Sequence, residues 1–204
     1  MIHKSQTFNL ILQTAFDNDV TLAVMGGYPR DLALGRVPRD LDICVYNTTT
    51  RDWHRFSTAL ESMGIASLIS GNSASCSGDN RVYEVLKTTN PSVSIDIICW
   101  NEEYKTLADI AGCFDFNINQ WALLHTTDLE GTHTEVEAKP VFLGDYKNFG
   151  TATLVRNGEL VSPERHEHMR CVALMLGWEE PLPYVGCCPK ATPEPSKDNT
   201  QPTI

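Results

Sequence analysis

Two periodicities of hydrophobic residues divide the first half of this chain into helices and strands. Apolar side chains recur at helical spacing in Ser5–Asp17 and Trp53–Met63, so both segments are predicted to be amphipathic helices. Alternation with a period of two predicts strands at Val20–Met25, Asp40–Tyr46, Ile65–Ile69, Arg81–Thr88 and Val93–Trp100. Together these elements predict an α/β fold, with a small mixed β-sheet and helices packed on one side.

The second half of the chain has a less regular pattern. A short helix is predicted at Thr106–Cys113, whereas Phe116–Leu124 is apolar enough for either a strand or a helix. Ser162-Pro163-Glu164 has a capping residue, a proline and an acid in the order typical of a helix start, and this helix should end near Leu176. Proline and polar residues dominate Pro189–Ile204, which is predicted to be a disordered tail.

Composition limits the classes of protein to consider. The chain has 204 residues, enough for one medium domain with an appendage, and its formal net charge of −10 argues against nucleic-acid binding by overall charge. Its seven cysteines include no C-x-x-C pair, which favours reduced thiols over disulfides or a zinc site. A signal-peptide pattern and an apolar run of ~20 residues are both missing, so a cytoplasmic location without a membrane partner is expected.

Three carboxylates fall at strand positions where they could share a cation. Asp40 and Asp42 should project from one face of their strand, while Leu41 and Ile43 project from the other. Asp96 lies in the apolar strand V-S-I-D-I-I-C-W, where an unpaired carboxylate would be costly. If the two strands are neighbours, the three acids meet and form a site for two Mg²⁺ ions, with Mn²⁺ as an alternative.

A glycine pair precedes these acids. Because Gly26 and Gly27 lack side chains, backbone N–H groups there can approach phosphate oxygens, next to a following helix N-terminus. Arg30 would add a planar cation for the same phosphates. The combination predicts a two-metal site in which one ion activates an attacking hydroxyl and the other holds a nucleotide triphosphate. The alternative is an ordinary tight turn followed by a solvated strand edge.

The same residues, in the same order, resemble a known enzyme family. G-G-Y-P-R-D-L-A-L-G-R-V-P-R-D-L-D-I is similar to the head-domain motif of the bacterial-type poly(A) polymerase and tRNA nucleotidyltransferase (CCA-adding) family, within the polymerase-β-like nucleotidyltransferases. T-L-A-D-I-A-G-C-F-D-F-N-I-N-Q-W-A resembles a later family motif, R-R-D-F-T-x-N-A, at Asp115, Phe116 and Asn119. S-P-E-R-H-E-H-M-R-C-V-A-L-M-L-G-W resembles the start of the family's neck helix, where Pro163 and Arg165 match.

The resemblance implies a nucleotidyltransferase fold, domain boundaries and residue roles. Residues 1–150 would form the head domain, residues 151–180 a truncated neck-like helix, and residues 181–204 the tail. The catalytic and metal-binding residues would be Asp40, Asp42 and Asp96. The nucleotide-binding residues would be Gly26, Gly27, Arg30, Asp115, Asn119 and Arg165. Alternatively, Asp115 and Asn119 brace a turn beneath the site, and Arg165 belongs to an ion pair in the neck.

The chain also departs from the family pattern. Cys113 and Phe114 replace the paired arginines of the second motif, and His168 and Cys171 replace two arginines of the neck. The segments that select nucleotides and hold tRNA in the family are expected to be missing. The sequence therefore resembles a stand-alone head domain, a type that includes phage proteins.

The implied reaction is metal-dependent transfer of a nucleoside monophosphate from an NTP, ATP or CTP, to an acceptor hydroxyl, with release of pyrophosphate. The expected acceptor is the 3′ end of an RNA, tRNA by resemblance. One alternative is nucleotidylation of a protein or a small molecule, which the acidic charge favours. Another is an inactive head that acts as a binding or inhibitory module, which the replaced arginines favour. The pattern predicts no particular oligomeric state.

Overall fold

A computed structural model describes residues 6–69, 81–89, 94–126, 137–155 and 161–179. The polar, Gly/Ser-rich segment Gly71–Asn80, which the sequence predicts to be a loop, and the predicted tail lie outside these ranges. The helices of the described residues are α1 (Gln6–Asp17), α2 (Gly27–Ala33), α3 (Thr50–Ser62), α4 (Leu107–Ala111) and α5 (Pro163–Leu176). The strands are β1 (Thr21–Met25), β2 (Leu41–Tyr46), β3 (Ala66–Leu68), β4 (Val82–Thr88), β5 (Ile95–Trp100), β6 (Trp121–Thr126) and β7 (Glu137–Phe142).

The seven strands form one mixed sheet in the order β3-β4-β5-β2-β1-β6-β7. β2 and β5 are parallel, and the other neighbouring strands are antiparallel. One row of paired residues crosses five strands, and its members are Asp96, Asp42, Met25, Ala122 and Val141. The parallel pairing places the two acid-bearing strands next to each other, as the hypothesis of a shared site requires.

Helices α1 and α3 cover one face of the sheet. Trp53, Phe56 and Leu60 of α3 are fully buried there, at the helical spacing that the sequence predicts. The Thr49 side chain caps α3 by accepting a hydrogen bond from the Asp52 N–H. The main core therefore lies between these two helices and the inward-facing residues of the sheet, on the face opposite the acids.

The other face of the sheet is covered only in part. Helix α4 is fixed by a capping box between Thr106 and Asp109, and its Ile110 packs in a second cluster with Met25 and Cys44. The start of β2 is free of this cover, so the acids stay accessible. A mixed sheet with its larger helices on one side confirms the predicted fold class.

Helix α5 packs against the end of the sheet through a third cluster. Ser162 caps its N-terminus, as predicted, and Gly177 ends it in a left-handed conformation with φ 68°. Its Met169 and Val172 share this cluster with Phe116 and Trp121. Helix α5 is thus joined to the rest of the described chain by a common hydrophobic core.

Two of the predicted elements differ in the structure from the sequence prediction. β2 begins at Leu41, so Asp40 precedes the strand. The ambiguous segment Phe116–Leu124 is a 3₁₀ turn at Asn117–Asn119 followed by the start of β6.

Within the described ranges, no helix is long and apolar enough to cross a membrane.

Candidate active site

Asp42 and Asp96 lie side by side on the accessible face of the sheet. They are direct partners across the parallel β2–β5 pair, and both are half-buried. Their strand neighbours Leu41, Ile43 and Ile95 point into the main core, which confirms the predicted alternation. The sequence predicted the faces correctly, and the strand pairing brings the two carboxylates together.

The surroundings of Asp42 oppose its ionisation. Burial, followed by the negative charges of Asp96 and Asp40, raises the pKa of this carboxyl from 3.8 to about 6. The positive charges of Arg165 and Lys87 act in the opposite direction and are too weak to cancel these effects. A cation bound nearby would therefore stabilise the ionised form of Asp42.

Asp96 has incomplete hydrogen bonding. Its buried Oδ1 has no hydrogen-bond partner among the described residues, although the Lys87 Nζ lies 3.3 Å away. The two atoms are close enough for an ion pair, but their geometry is not that of a hydrogen bond. The lysine therefore offsets the negative charge of Asp96 and leaves a lone pair of its Oδ1 without a hydrogen-bond donor among the described residues. Lys87 could not be predicted as a neighbour of Asp96, because its position opposite this residue depends on the β4–β5 register.

Asp40 stands apart from the other two acids. It is exposed and lies one residue before β2, where no ladder bond fixes it. In the described part of the chain no three His, Cys, Asp or Glu side chains are grouped closely enough to hold a metal ion. The all-carboxylate donor set, the raised pKa of Asp42 and the free Oδ1 of Asp96 fit Mg²⁺, with Asp40 as a third ligand once its side chain turns inward.

Gly26 forms the turn beside these acids. Its φ of 83° lies in the region that favours glycine, and a Cβ at this position would lie 3.1 Å from the Asp42 Oδ2. The Gly26 N–H donates to the Trp121 carbonyl at 2.9 Å, so this donor is already used within the sheet. Gly26 therefore provides space for the Asp42 carboxylate in addition to backbone freedom.

Arg30, a predicted phosphate ligand, is buried beneath this turn. Its Nη1 donates to the Asn119 Oδ1 at 2.8 Å, and its Nε donates to the Asp31 Oδ1 at 2.9 Å. A Cβ on Gly27 would lie 3.3 Å from the Arg30 Nη2, so this glycine leaves room for the guanidinium. Arg30 and Asn119 thus form one buried hydrogen-bonded pair that supports the site from below.

Asp115 and Arg165 connect the segment before the 3₁₀ turn to α5. The Arg165 Nε donates to the Asp115 Oδ2 at 2.5 Å, and its Nη2 donates to the Asp115 Oδ1 at 3.2 Å. This geometry agrees with the alternative in which Arg165 is a neck ion-pair residue. Since Arg165 also lowers the pKa of Asp42, its charge reaches the carboxylates. Its guanidinium can therefore act in the site while it is held by Asp115.

Two basic residues that the sequence did not indicate as site residues, Arg39 and His168, lie near Arg165 and Arg30. Burial lowers the pKa of His168, and the charges of Arg165, Arg39 and Arg30 lower it further. These side chains come from α2, from the segment before β2, and from α5, so only the folded chain brings them together. Arg165 is the member of this group whose charge also acts on Asp42, and its position between the group and the carboxylates suits a polyphosphate ligand.

We expect metal affinity to depend on pH through Asp42. With a pKa of about 6, this carboxyl is ionised in about a tenth of molecules at pH 5.0 and in nearly all at pH 7.5. Mg²⁺ should therefore bind roughly tenfold more tightly at pH 7.5 than at pH 5.0, as measured by calorimetric titration. Asp42→Asn should abolish this tenfold difference, and a difference that persists in the variant would assign it to another group.

The fold of this chain is similar to that of several solved structures. A CCA-adding enzyme solved with ATP matches 84% of this chain over 37% of its own length, with 19% sequence identity and a TM-score of 0.55. A tRNA-processing enzyme in an apo form matches 83% of this chain over 41% of its own, with 15% identity and a TM-score of 0.54. The chain has a nucleotidyltransferase fold.

The remaining comparisons define the extent of this similarity. A tRNA-processing enzyme solved with CTP matches 83% of the chain over 42% of its own, with 16% identity and a TM-score of 0.52. The chain therefore spans about two-fifths of the length of the structures it matches. No protein-family model and no curated protein sequence matches it. The nucleotidyltransferase fold is shared, whereas the activity and the substrates are matters for proposal.

Proposed function

We propose that this nucleotidyltransferase-fold chain transfers a nucleoside monophosphate from an NTP to the 3′ hydroxyl of an RNA, in a reaction that depends on Mg²⁺. The observation that carries the proposal is the pairing of Asp42 with Asp96 beside the Gly26 turn. Two adjacent carboxylates, one with a raised pKa and one with a free lone pair, have little structural use without a cation. Asp40 completes the proposed ligand set.

The residues divide the chemistry between them. The chemistry expected of bound Mg²⁺ is activation of the acceptor hydroxyl and neutralisation of the triphosphate. The acceptor oxygen attacks the α-phosphorus, a new phosphoester bond forms, and the α–β phosphoanhydride bond breaks with its electron pair leaving on pyrophosphate. Asp96 accepts the proton of the attacking hydroxyl. The positive charge of Arg165, which reaches Asp42, stabilises the departing pyrophosphate.

The substrate classes are proposed from the matched structures. Enzymes with this fold were solved with ATP and with CTP, which supports an NTP as the donor. Both are described as tRNA-processing or CCA-adding enzymes, which supports an RNA acceptor, tRNA in the first instance. Because these relatives are less than 25% identical, the choice of base and acceptor rests on analogy.

The test of the proposed function is transfer of label from an α-labelled NTP. The protein is incubated with each NTP, Mg²⁺, total RNA and total protein, and the labelled products are separated by size and by nuclease digestion. Mg²⁺-dependent label in RNA that EDTA abolishes is the expected result. Absence of label from every acceptor would contradict the proposed function.

A protein acceptor is the second candidate, since the formal net charge of −10 opposes close approach of RNA. In this case the chemistry at Asp42 and Asp96 is unchanged, and only the attacking hydroxyl differs. Label that resists nuclease and is removed by protease would decide for this candidate.

Arg165 should contribute to nucleotide binding more than to stability. Its ion pair with Asp115 is partly exposed, so Arg165→Met should change the free energy of unfolding by less than about 1 kcal/mol. The KM for NTP should rise roughly tenfold, because one charge-assisted hydrogen bond to phosphate is lost. Steady-state kinetics and thermal unfolding measure the two effects.

Arg170→Met is the matched control, because Arg170 forms an ion pair with Glu167 on the same helix. This variant should keep the KM of the unchanged protein. If both substitutions raise the KM equally, the positive charge of α5 affects NTP binding without a specific contact from Arg165. Loss of stability in the Arg165 variant alone would assign that residue to the head–neck junction instead.

A further inference from the structure

An aromatic cluster at the edge of the sheet takes no part in the proposed chemistry. Its rings contact one another with centroid separations of 5.1 to 6.3 Å, and they belong to Trp121, Phe142, Tyr146, Phe149 and Trp178. Trp121, Phe142 and Trp178 are buried, whereas Tyr146 is 67% exposed and Phe149 is 44% exposed. The buried rings are the support, and the two exposed rings form a surface that we call the aromatic platform.

The platform is presented by a short, well-fixed turn. Tyr146–Asn148 form a 3₁₀ turn, in which the Asp145 Oδ1 accepts a hydrogen bond from the Lys147 N–H at 2.9 Å. The rings of Tyr146 and Phe149 are nearly parallel, at 21°, and Phe142 contacts both edge-on at 5.3 and 5.2 Å. One side of these rings is therefore packed against the core, and the other side meets solvent.

Two charged residues, Asp145 and Lys147, lie beside the platform. Lys147 lies in the turn between the two exposed rings, and its ammonium has no ion-pair partner within the described ranges. The Asp145 carboxylate is already engaged by the backbone of the turn. In a chain with a formal net charge of −10, an unpaired ammonium between two exposed rings is a combination that suits an anionic, aromatic ligand.

The platform lies at the same end of the sheet as the carboxylates. The row of paired residues leads from Asp42 through Met25 and Ala122 to Val141, a distance of about 14 Å at three strand spacings. Phe142 follows Val141 directly and contacts Tyr146. Phe142 and its strand partner Trp121 project from the sheet face opposite the carboxylates, so an RNA strand held at the platform would reach the carboxylates by crossing the end of the sheet.

We propose that the aromatic platform stacks an unpaired base of a single-stranded RNA, a few nucleotides before its 3′ hydroxyl. The exposed face of the Tyr146 ring stacks on the base, and the Lys147 ammonium contacts the adjacent phosphate. The inference rests on the proposed function for the identity of the acceptor as RNA. It adds a binding surface in the head itself, where the sequence resemblance assigns RNA recognition to other domains.

The test is binding of a 5′-labelled 12-nucleotide oligoadenylate, measured by fluorescence anisotropy at fixed salt concentration. Asp42→Asn is the background for all proteins, so that no extension of the RNA occurs during the measurement. Tyr146→Ala should weaken binding by about 5- to 100-fold, since stacking on one base contributes about 1–3 kcal/mol. Tyr146→Trp should restore binding to within about threefold, because it keeps a stacking surface.

Phe16→Ala is the matched control. Phe16 is 80% exposed on α1, at a distance from the platform in the fold, so its loss should leave binding unchanged. Lys147→Ala should lower the slope of log K against log salt by about 0.7, the contribution of one phosphate contact to a single strand. Thermal unfolding of each variant shows whether the turn is intact.

Three results would overturn the inference. They are an unchanged affinity of Tyr146→Ala for the oligoadenylate, failure of a folded Tyr146→Trp protein to regain this affinity, and no binding of the oligoadenylate by the protein with an intact platform. Loss of self-association in Tyr146→Ala, seen by light scattering without a change in RNA affinity, would also overturn it and assign the rings to a protein interface. Nucleotidyl transfer is measured separately, by pyrophosphate release. Failure of the platform and failure of the proposed function are therefore distinguishable.

Discussion

Asp42→Asn should abolish nucleotidyl transfer and at the same time stabilise the folded protein. Loss of a metal ligand removes several kcal/mol of transition-state stabilisation, so kcat should fall by about 10³-fold or more. The neutral amide occupies the same volume beside Gly26 and ends the repulsion by Asp96. Activity and stability should therefore change in opposite directions.

The stability change follows from the raised pKa of Asp42. Below pH 3.8 the carboxyl is protonated in both states, so its pKa shift gives no advantage to the variant. As the pH rises through about 6, the folded unsubstituted protein loses stability because its carboxyl must ionise in an unfavourable place. At pH 8, without divalent ions, Asp42→Asn should have a free energy of unfolding about 2–3 kcal/mol higher, measured by urea unfolding.

Asp19→Asn is the control for the loss of one negative charge. Asp19 has a φ of 58°, a conformation that asparagine accommodates equally well, and it lies before β1, away from the site. It should change neither kcat nor stability. A fully active Asp42→Asn protein would contradict the proposed chemistry, and a strongly destabilised one would contradict the electrostatic account of the pair.

Gly26→Ala should reduce both activity and stability. The new Cβ would lie 3.1 Å from the Asp42 Oδ2, and its φ of 83° is unfavourable for alanine. The strain should cost about 1–3 kcal/mol in unfolding free energy. The contact should displace the Asp42 carboxylate, so kcat should fall by roughly 10²-fold, as expected for a misplacement of about 1 Å at a reacting centre.

Gly35→Ala separates the two contributions. Gly35 has a φ of 66°, and a Cβ there would meet no atom within 4 Å. This variant should lose about 1–2 kcal/mol of stability from backbone strain and should keep its kcat. If both variants lose activity equally, the loss results from general destabilisation of the fold. The short distance between residue 26 and the Asp42 carboxylate would then have no effect on catalysis. Unfolding curves and initial rates of the two proteins decide the matter.

Local patterns were sufficient for the main elements of the fold. Period-two alternation around Ile43 and Ile97 predicted the strands, and the faces of those strands were correct. The capped start of α5 at Ser162 was also predicted correctly, because a cap depends on residues within one helical turn. In contrast, Phe116–Leu124 remained ambiguous, because a short apolar run is compatible with both periods.

The candidate site was predictable only in part. Asp42 and Asp96 could be selected because an acid within an apolar strand is conspicuous. Lys87 and His168 could not be found, since their relation to the acids depends on strand register and on the packing of α5. Side-chain environments of this kind are created by contacts between residues that are distant in the sequence.

The sequence by itself determined the period of each element, the face of each acid and the resemblance at the Gly26–Asp42 segment. The tertiary structure decided that Asp42 and Asp96 are neighbours, because only the parallel pairing of β2 and β5 aligns their registers. It also decided that Arg30 is held by Asn119 beneath the turn. Local patterns record how a residue is exposed within its own element, whereas charges interact through space, so the electrostatics of the site belong to the folded chain.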